Sequence, residues 1–421
     1  MNHTIPVEDL RVGMFIHLDL GWMQHPFALS SFRIQSPDQI ATIRGLGLGR
    51  VRWDPEGSVS PAAEVDEPPA HDPAAGTPDD TSAIDATAAS DLRRARLLTH
   101  RRHTALLDRE CTEAGRALRD ASRRALTDPA AAHADAQALS RKLLARLAVQ
   151  GEVCIRLVNS QAGDRAAAHG LNVAIVALLA GRSLGLGDAD MMSLGLGAML
   201  HDIGKLELPD RLRHLDDSFN TAQTNAYREH VARGVAIGRQ MGLATGALAV
   251  IGQHHEAADS SGFPLGLPAD RQTQAARIVA IADRFDNLCN PAVLARALTP
   301  HEAVSMLFTQ YRQRFDAAIL GAFIRMLGVY PAGSVVQLSD ERYALVMAVN
   351  SSRPLKPRVL VHDPAVPADE ALLLDLERTP DLGIRRSLPP ARLPVEVREY
   401  LAPRAQLHYY FDTVSDEEAV Q

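Results

Sequence analysis

The sequence predicts a mainly α-helical protein with a helical bundle core, a small N-terminal α+β domain and a small C-terminal β unit. Residues 153–328 place apolar side chains at helical spacing, and glycines and prolines separate the successive segments. Residues 329–412 instead contain short apolar runs around turn residues, which are typical of antiparallel strands. The length of 421 residues is enough for about three domains. Residues 413–421 are predicted to be a frayed acidic tail.

The N-terminal region, residues 1–57, is predicted to form strands around one helix. Residues 10–18 show partial strand alternation, and residues 49–53 are predicted to form another strand. Between them, Ser36 is predicted to cap a short helix and Pro37 to be its first residue. Nothing in this region has catalytic spacing, so we interpret it as a regulatory domain.

Two further segments separate this region from the helical core. Residues 58–91 are predicted to be a disordered acidic linker, because Pro, Ala, Ser and Thr dominate and every charged residue is acidic. Residues 92–152 are arginine-rich and helical. We interpret them as a helical stalk, through which residues 92–150 could form a homodimer, or equally as an amphipathic cap on the next domain.

Composition excludes several classes of protein. The net charge of −7 argues against binding to nucleic acid polymers, which favours a basic excess. The three cysteines are far apart and form no CxxC pair, which indicates a reducing compartment and no thiolate metal site. We see no signal peptide and no apolar run of about 20 residues. The sequence therefore predicts a cytoplasmic protein without a membrane segment.

The strongest local signal is the sequence His201-Asp202-Ile203-Gly204-Lys205. It follows an apolar run at residues 192–200 that is expected to place a helix in the core. A neutral imidazole beside a carboxylate, which can bridge two cations, suits a hydrolytic centre that binds zinc, manganese or iron. The pair alone is weak evidence, because it occurs by chance in many chains.

Further metal-ligand residues recur through the helical region. Asp283 lies in an otherwise apolar helical stretch, where an unpaired carboxylate is very costly. Taken singly, His169 is more often a packing histidine, and Asp283 is as readily an ion-pair partner of Arg277 or Arg284. Together, the residues predict one metal site in a bundle core. The candidate ligands are His169, His201, Asp202, His230, His254, His255 and Asp283.

The order of these residues resembles the HD-GYP branch of the HD superfamily of metal-dependent phosphohydrolases. Residues 201–210, 254–264 and 277–286 carry the resemblance. Residues 10–14 resemble part of a domain of unknown role that often precedes HD-GYP domains. The resemblance implies an HD-type helical bundle that hydrolyses cyclic di-GMP to pGpG or GMP, through a hydroxide bridging two divalent transition metal ions, iron or manganese.

The resemblance also implies a role for each site residue. One ion would be bound by His169, His201, Asp202 and Asp283. The second ion would share Asp202 and would be bound by His230, His254 and His255. Asp202 and Lys205 would be the catalytic residues. The substrate would contact Lys205, Asp259, Gly262, Phe263 and Pro264.

Four departures from the family pattern concern mainly the substrate. Phe263 stands where the family has a tyrosine, and Ser260 stands where it has a glycine. Arg165 replaces a glutamate found in members with three metals, which favours two metals here. A basic stretch is missing, and residues 292–295 align with it. We therefore expect intact metal chemistry with weaker substrate binding.

The alternatives are a hydrolase of another cyclic dinucleotide, such as cyclic GMP-AMP, or a catalytically weak adaptor that binds partners such as diguanylate cyclase domains.

Overall fold

The computed structural model describes most of the chain. Its described residues are 3–18, 31–34, 37–46, 48–54, 81–148, 153–159, 164–216, 218–350, 353–379 and 381–413. The chain divides into two compact units, Met1–Arg96 and Leu97–Gln421. Among the described residues, the structure is mainly α-helical, as the sequence predicts.

The first unit contains a four-stranded antiparallel sheet in the order β1-β4-β2-β3, together with one helix. Its core includes the fully buried side chains of Ile16 and Ile43. The predicted helix and the two predicted strands are present, whereas β1 and β3 were not predicted. Ser36, the predicted cap, lies outside the described residues. The elements are β1 His3–Pro6, β2 Phe15–His17, β3 Ser31–Arg33, α1 Pro37–Gly45 and β4 Arg50–Asp54.

The long helix α2, Thr81–Arg124, corrects the predicted linker boundary. Residues 81–91 were assigned to the disordered linker, but they are helical in the structure. Four alanines in this segment favour helix because alanine loses no side-chain entropy there. The rest of the predicted linker, residues 58–80, lies outside the described part of the chain.

Helix α3, Pro129–Leu147, packs against the helical core. Asp128 caps it by accepting a hydrogen bond from the backbone nitrogen of Ala131 at 3.2 Å. Leu143 of α3 and Leu107 and Leu118 of α2 are fully buried. This packing favours the cap interpretation of these two helices. The homodimer stays a prediction.

Seven helices form the predicted bundle. The 19-residue helix α4 lies at its centre and contacts α5, α8 and α10. By length and composition α4 could cross a membrane, but 72% of its apolar window is buried inside the protein, as in a core helix. The helices are α4 Arg165–Ser183, α5 Asp188–Leu200, α6 Thr221–Met241, α7 Thr245–Gln253, α8 Gln274–Cys289, α9 Pro300–Thr309 and α10 Ala317–Leu327.

The C-terminal β unit is a seven-stranded antiparallel sheet, and one of its strands comes from before the bundle. We predicted that residues 153–328 are all helical, but residues 153–158 form β5, which pairs with both β7 and β11. The elements are β5 Val153–Val158, β6 Val335–Leu338, β7 Tyr343–Asn350, β8 Arg358–Val361, β9 Leu372–Asp375, β10 Ile384–Ser387, α11 Val395–Leu401 and β11 His408–Thr413.

A buried ion pair joins β5 to β11. Arg156 and Asp412 are 1% and 2% exposed, and the guanidinium donates to the carboxylate at 2.8 Å. Thr104 on α2 accepts a second hydrogen bond from Arg156 at 2.9 Å. An apolar run interrupted by one arginine is equally compatible with a buried helix or a buried strand, which explains the wrong prediction for β5.

Candidate metal centre

The turn after α5 brings the first candidate ligands to the bundle core. His201 ends α5, and Asp202 precedes a short 3₁₀ turn at Ile203–Glu207. A Cβ atom at Gly204 would overlap the carbonyl oxygen of His230 on α6. Glycine is therefore required for this turn to pack closely against α6, where the next candidate ligand lies.

The first cluster of candidate ligands joins α4, the α5 turn and α8. His169 Nε2 lies 3.2 Å from His201 Nε2 and 3.1 Å from Asp283 Oδ1. Asp202 Oδ2 lies 3.8 Å from His169 Nε2 and 3.5 Å from His201 Nε2. The structure therefore brings together the four residues that the resemblance assigns to one ion.

The second cluster shares Asp202 and adds three histidines. Asp202 Oδ1 lies 3.5 Å from His230 Nε2 and 3.8 Å from His254 Nε2. One ligand atom from each of these three residues and one from His255 lie within 4.8 Å of one another. Asp202 thus belongs to both clusters, with one carboxylate oxygen facing each.

Backbone carbonyls fix the orientation of the histidine rings. The Nδ1–H group donates to Ala198 O in His201, to Tyr227 O in His230 and to Ile251 O in His254, at 2.7–2.8 Å. The Nε2 atoms are then the free ligand atoms of these rings. Because the Nε2 atoms of His230 and His254 lie 3.5 Å apart, two lone pairs face each other, and a cation between them would satisfy both.

Two buried atoms support the same interpretation. Within the described part of the chain, Asp202 Oδ1 and His255 Nε2 are buried and have no hydrogen-bond partner. Such atoms are costly unless a ligand or ion satisfies them. The donor set contains imidazole nitrogens and carboxylate oxygens, which suits divalent transition ions. The residues present therefore fit a pair of such ions.

Asp286 orients one candidate ligand, a role that the sequence pattern alone did not assign to it. Its carboxylate accepts a hydrogen bond from His169 Nδ1 at 2.6 Å and others from the amides of Asn172 and Asn290 at 2.9 and 2.8 Å. The His169 ring is thereby oriented with Nε2 toward the first cluster. The signal in the sequence was the spacing of Asp283 and Asp286, which places both carboxylates on one face of α8.

The histidines of the two clusters differ in their affinity for protons, because their neighbours differ. Burial lowers the pKa of His201, but the charge and hydrogen bonds of Asp202 and Asp283 outweigh it and raise the pKa to about 10. Burial also lowers the pKa of His169, but Asp283 and Asp286 outweigh burial and raise the pKa to about 9. In contrast, burial lowers the pKa of His255 to about 3. Cations must therefore displace protons from the first cluster, whereas the second offers neutral rings.

Lys205 lies beside the shared carboxylate. Its Nζ donates to Asp202 Oδ2 at 2.5 Å and lies 5.3 Å from the centre of the Tyr227 ring. Burial opposes the charge of Lys205, but the nearby Asp202 outweighs burial and raises the lysine pKa. Lys205 is therefore a fixed positive charge at the edge of both clusters.

The loop after His255 places an aromatic ring against the centre. Glu256 is buried and accepts hydrogen bonds from the backbone nitrogens of Leu265 and Leu267, both at 2.8 Å. A Cβ atom at Gly262 would overlap the backbone of residues 255–257, so glycine allows the loop to fold back. Nothing in the sequence pattern indicated this role for Glu256.

This folded loop positions the remaining predicted substrate contacts. The centre of the Phe263 ring lies 4.5 Å from the centre of the His255 ring and 5.0 Å from the Arg228 guanidinium carbon. Pro264 follows Phe263 through a cis peptide bond. The structure places Asp259 differently from the others, because its exposed carboxylate accepts hydrogen bonds from Ser261 in its own loop.

The departures from the family pattern have visible structural consequences. Ser260 has a φ of 63°, so it keeps a left-handed conformation that favours glycine. Arg165 donates to the carbonyl oxygen of Asn290 at 2.9 Å, next to the segment that aligns with the missing basic stretch. In that segment Val293 and Leu294 are exposed.

Two family models match the chain. A domain of unknown function (DUF3391) matches residues 2–150, and an HD domain matches residues 151–319. The first match therefore includes α2 and α3 as well as the N-terminal sheet. The second includes all seven candidate metal ligands.

Named relatives match the same regions. The chain is 27% identical over 367 residues to cyclic di-GMP phosphodiesterase PA4108 of Pseudomonas aeruginosa, covering 86% of this chain and 85% of that protein. It is 31% identical over 153 residues to the cyclic di-GMP phosphodiesterase response regulator RpfG of Xanthomonas campestris, covering 36% and 40% of the two chains. It is 28% identical over 165 residues to 3'3'-cGAMP-specific phosphodiesterase 3 of Vibrio cholerae, covering 39% and 36%. These matches and the helical fold confirm the resemblance seen in the sequence: residues 151–319 are similar to the HD domain family, and residues 2–150, which precede them, are similar to the DUF3391 domain.

Proposed function

We propose that the protein is a metal-dependent phosphodiesterase that hydrolyses cyclic di-GMP to pGpG or GMP. The observation that carries this proposal is the shared position of Asp202, which faces both clusters of ligand atoms. Relatives named as cyclic di-GMP phosphodiesterases, one of them matching over most of its length, support the choice of substrate.

Each site residue has a defined part in this reaction. Two iron or manganese ions bound in the two clusters would activate water and neutralise phosphate charge. Asp202 belongs to both clusters, and Lys205, which donates to Asp202, would supply a positive charge to the phosphate or to the developing alkoxide. Phe263 places an apolar ring beside the candidate ligand His255, with the two ring centres 4.5 Å apart.

The substrate contacts explain the expected weaker binding. Residues 292–295 supply no basic side chain. Arg284 donates to the Tyr311 hydroxyl and stacks 4.3 Å from that ring, so it does not replace the missing groups. Arg165 and Arg228 are two cations that lie near the centre. We propose that they bind the phosphates, and that KM is raised while kcat stays in the ordinary range for such enzymes.

Substitution of Asp202 tests the metal centre and the reaction together. Asp202→Ala should remove most of the metal, close to two ions per chain in the native protein, and should abolish hydrolysis. Asp270→Ala, a change at an exposed aspartate, is the control and should retain both. Full metal loading in Asp202→Ala would refute the assignment.

Product chromatography with several cyclic dinucleotides distinguishes the alternatives. Faster hydrolysis of cyclic GMP-AMP than of cyclic di-GMP would favour the second candidate substrate, which the match to the cGAMP-specific relative supports. Full metal loading without turnover of any cyclic dinucleotide would favour the adaptor, whose partners would include diguanylate cyclase domains.

A further inference from the structure

A cleft that is separate from the metal centre lies between α2 and the segment that precedes β11. Its volume is about 750 Å³, which is in the range of small-molecule sites. Arg109 and Arg116 line it from α2, and Arg404 lines it from the opposite segment. None of these residues belongs to the metal centre.

The acidic and basic side chains in this cleft differ in how many hydrogen-bond partners they have. Asp108 also lines it, but its carboxylate accepts hydrogen bonds from the backbone and side-chain nitrogens of Asn159 at 2.7 and 3.2 Å. Within the described residues, Arg404 Nη1 is buried without a hydrogen-bond partner, and the negative charge that acts on this guanidinium group is that of Asp108. The exposed Arg109 and Arg116 form no ion pair with any described residue. Glu113 is the second acidic side chain, so the three guanidinium groups outnumber the two carboxylates.

We propose that this cleft binds the phosphate group of a small nucleotide and that its occupancy is transmitted to the metal centre. Guanidinium groups form bidentate, charge-assisted hydrogen bonds with phosphate, and three arginines line this cleft, two from α2 and one from the segment before β11. A phosphate in the cleft would lie beside the Arg404 side chain, which forms part of the cleft wall. A mononucleotide also matches the volume of the cleft better than an inorganic ion does.

A short hydrogen-bond network connects the cleft wall to the metal centre. Leu407, three residues after Arg404, accepts hydrogen bonds at its carbonyl oxygen from the amides of Asn172 and Asn290 at 2.8 and 3.0 Å. Its nitrogen donates to Asn290 at 2.8 Å. Both asparagines also bind Asp286, which orients the candidate ligand His169.

A ligand that joins Arg404 to α2 would therefore hold this segment in place. The asparagines would in turn keep Asp286 and the His169 ring fixed, because each step is a direct hydrogen bond. The expected effect is slower loss of metal from the first cluster when the cleft is occupied.

Calorimetry on the full-length, metal-loaded protein tests binding, with GMP and inorganic phosphate as probes. The native protein should bind one more equivalent of GMP per chain than Arg404→Gln does. The double variant Arg109→Gln/Arg116→Gln should weaken this binding about tenfold or more, and it changes only exposed residues. Arg123→Gln, on the same helix outside the cleft, is the control and should bind like the native protein.

Equal GMP stoichiometry in all four proteins would overturn the proposal. Weaker binding of inorganic phosphate than of GMP is expected, and binding of inorganic phosphate alone would overturn the choice of a nucleotide.

Metal loss to a chelator tests the connection to the centre, and only this part rests on the proposed function. GMP should slow the loss of metal severalfold in the native protein and in Arg123→Gln, but not in Arg404→Gln. An equal effect of GMP in all three would mean that it acts at the metal centre itself and would overturn the connection. Failure of the proposed function would instead appear as a protein without metal that still binds GMP in the cleft.

Discussion

At the level of single residues, the orientation of His169 depends on Asp286 and on the two asparagines that hold Asp286 in place. His169, His201 and Asp283 could be recognised because their order and apolar surroundings are unusual for these residue types. Asn172 and Asn290 could not, because a polar residue on a helix gives no sign of its partner until the packing of α4 against α8 is known. The supporting shell depends on tertiary contacts, which residue order alone does not encode.

Asp286→Ala should weaken metal binding without preventing folding. The His169 ring would lose the partner that fixes it, and loss of such partners typically lowers metal affinity about 10–100-fold. Elemental analysis after dialysis should show loss of one ion before the other, because only the first cluster contains His169. Asp120→Ala, at an exposed site on α2, should retain both ions. Equal retention by the two variants would show that Asp286 does not support the centre.

Ala402→Gly should raise the melting temperature. Ala402 ends α11 with a φ of 41°, a left-handed conformation that costs a residue with a Cβ atom about 1–2 kcal/mol. Part of that gain is offset by the greater freedom of glycine in the unfolded chain, so we expect a net gain of about 0.5–1 kcal/mol. Ala391→Gly, at an exposed position whose φ is not left-handed, should lower stability slightly. Thermal unfolding of both variants checks this, and a lower melting temperature for Ala402→Gly would contradict it.

At the level of elements, close approach of two backbones decides the geometry of the centre. Gly204→Ala should destabilise the protein strongly, since the added methyl group would overlap the backbone of α6 at His230. The turn would have to move away from α6, which would also separate Asp202 from His230 and lower metal content. Gly383→Ala, where no atom lies within 4 Å of the added methyl group, is the matched control. Similar melting temperatures and metal contents for the two variants would contradict the packing argument.

The strand β5 shows where local pattern was insufficient. Residues 153–158 are all buried, so they lack the alternation that identifies a half-exposed strand. Their partners in β7 and β11 lie beyond the whole helical bundle in the chain, as the pairs of Cys154 with Asn350 and with Asp412 show. The ion pair between Arg156 and Asp412 becomes apparent once β5 is seen to pair with β11.

The Asp412 ion pair should make stability depend on acid pH. Burial raises the pKa of Asp412, but the hydrogen bond from His103 and the charge of Arg156 outweigh it and hold the pKa below 3.8. Because the pKa of Asp412 is lower in the folded state, the ionised carboxylate stabilises the protein at pH values above its unfolded-state pKa. This contribution is lost as the pH falls through its folded-state pKa. Asp412→Asn should therefore cost about 3–5 kcal/mol at pH 7, because it leaves a buried unpaired guanidinium. The difference in melting temperature from the native protein should shrink as pH falls below 4. Asp340→Asn, at a partly exposed pair, is the control and should lower the melting temperature at pH 7 only slightly.

At the level of the whole molecule, the segment predicted as the catalytic domain makes essential contacts outside its own bounds. Residues 153–328 contain all candidate ligands, but the structure packs this segment against α3 and completes its sheet with β7 and β11. The hydrogen bonds of Leu407 to Asn172 and Asn290 extend these contacts to the ligand shell. Helical periodicity located the bundle correctly but carried no information on which distant segments cover it.

Two fragments test this view of the molecule. A fragment of residues 97–421 matches the second compact unit and should fold, bind metal and melt within a few degrees of the full-length protein. A fragment of residues 153–328 would leave β5 without its partners and would expose the faces of α4 and α5 that pack on α3 and β11. Exposed apolar surface costs about 25 cal/mol per Å², so this fragment should be unfolded or aggregated. Circular dichroism, melting curves and metal content of the two fragments give the comparison. A cooperative, metal-binding 153–328 fragment would show that the narrower domain is the true folding unit.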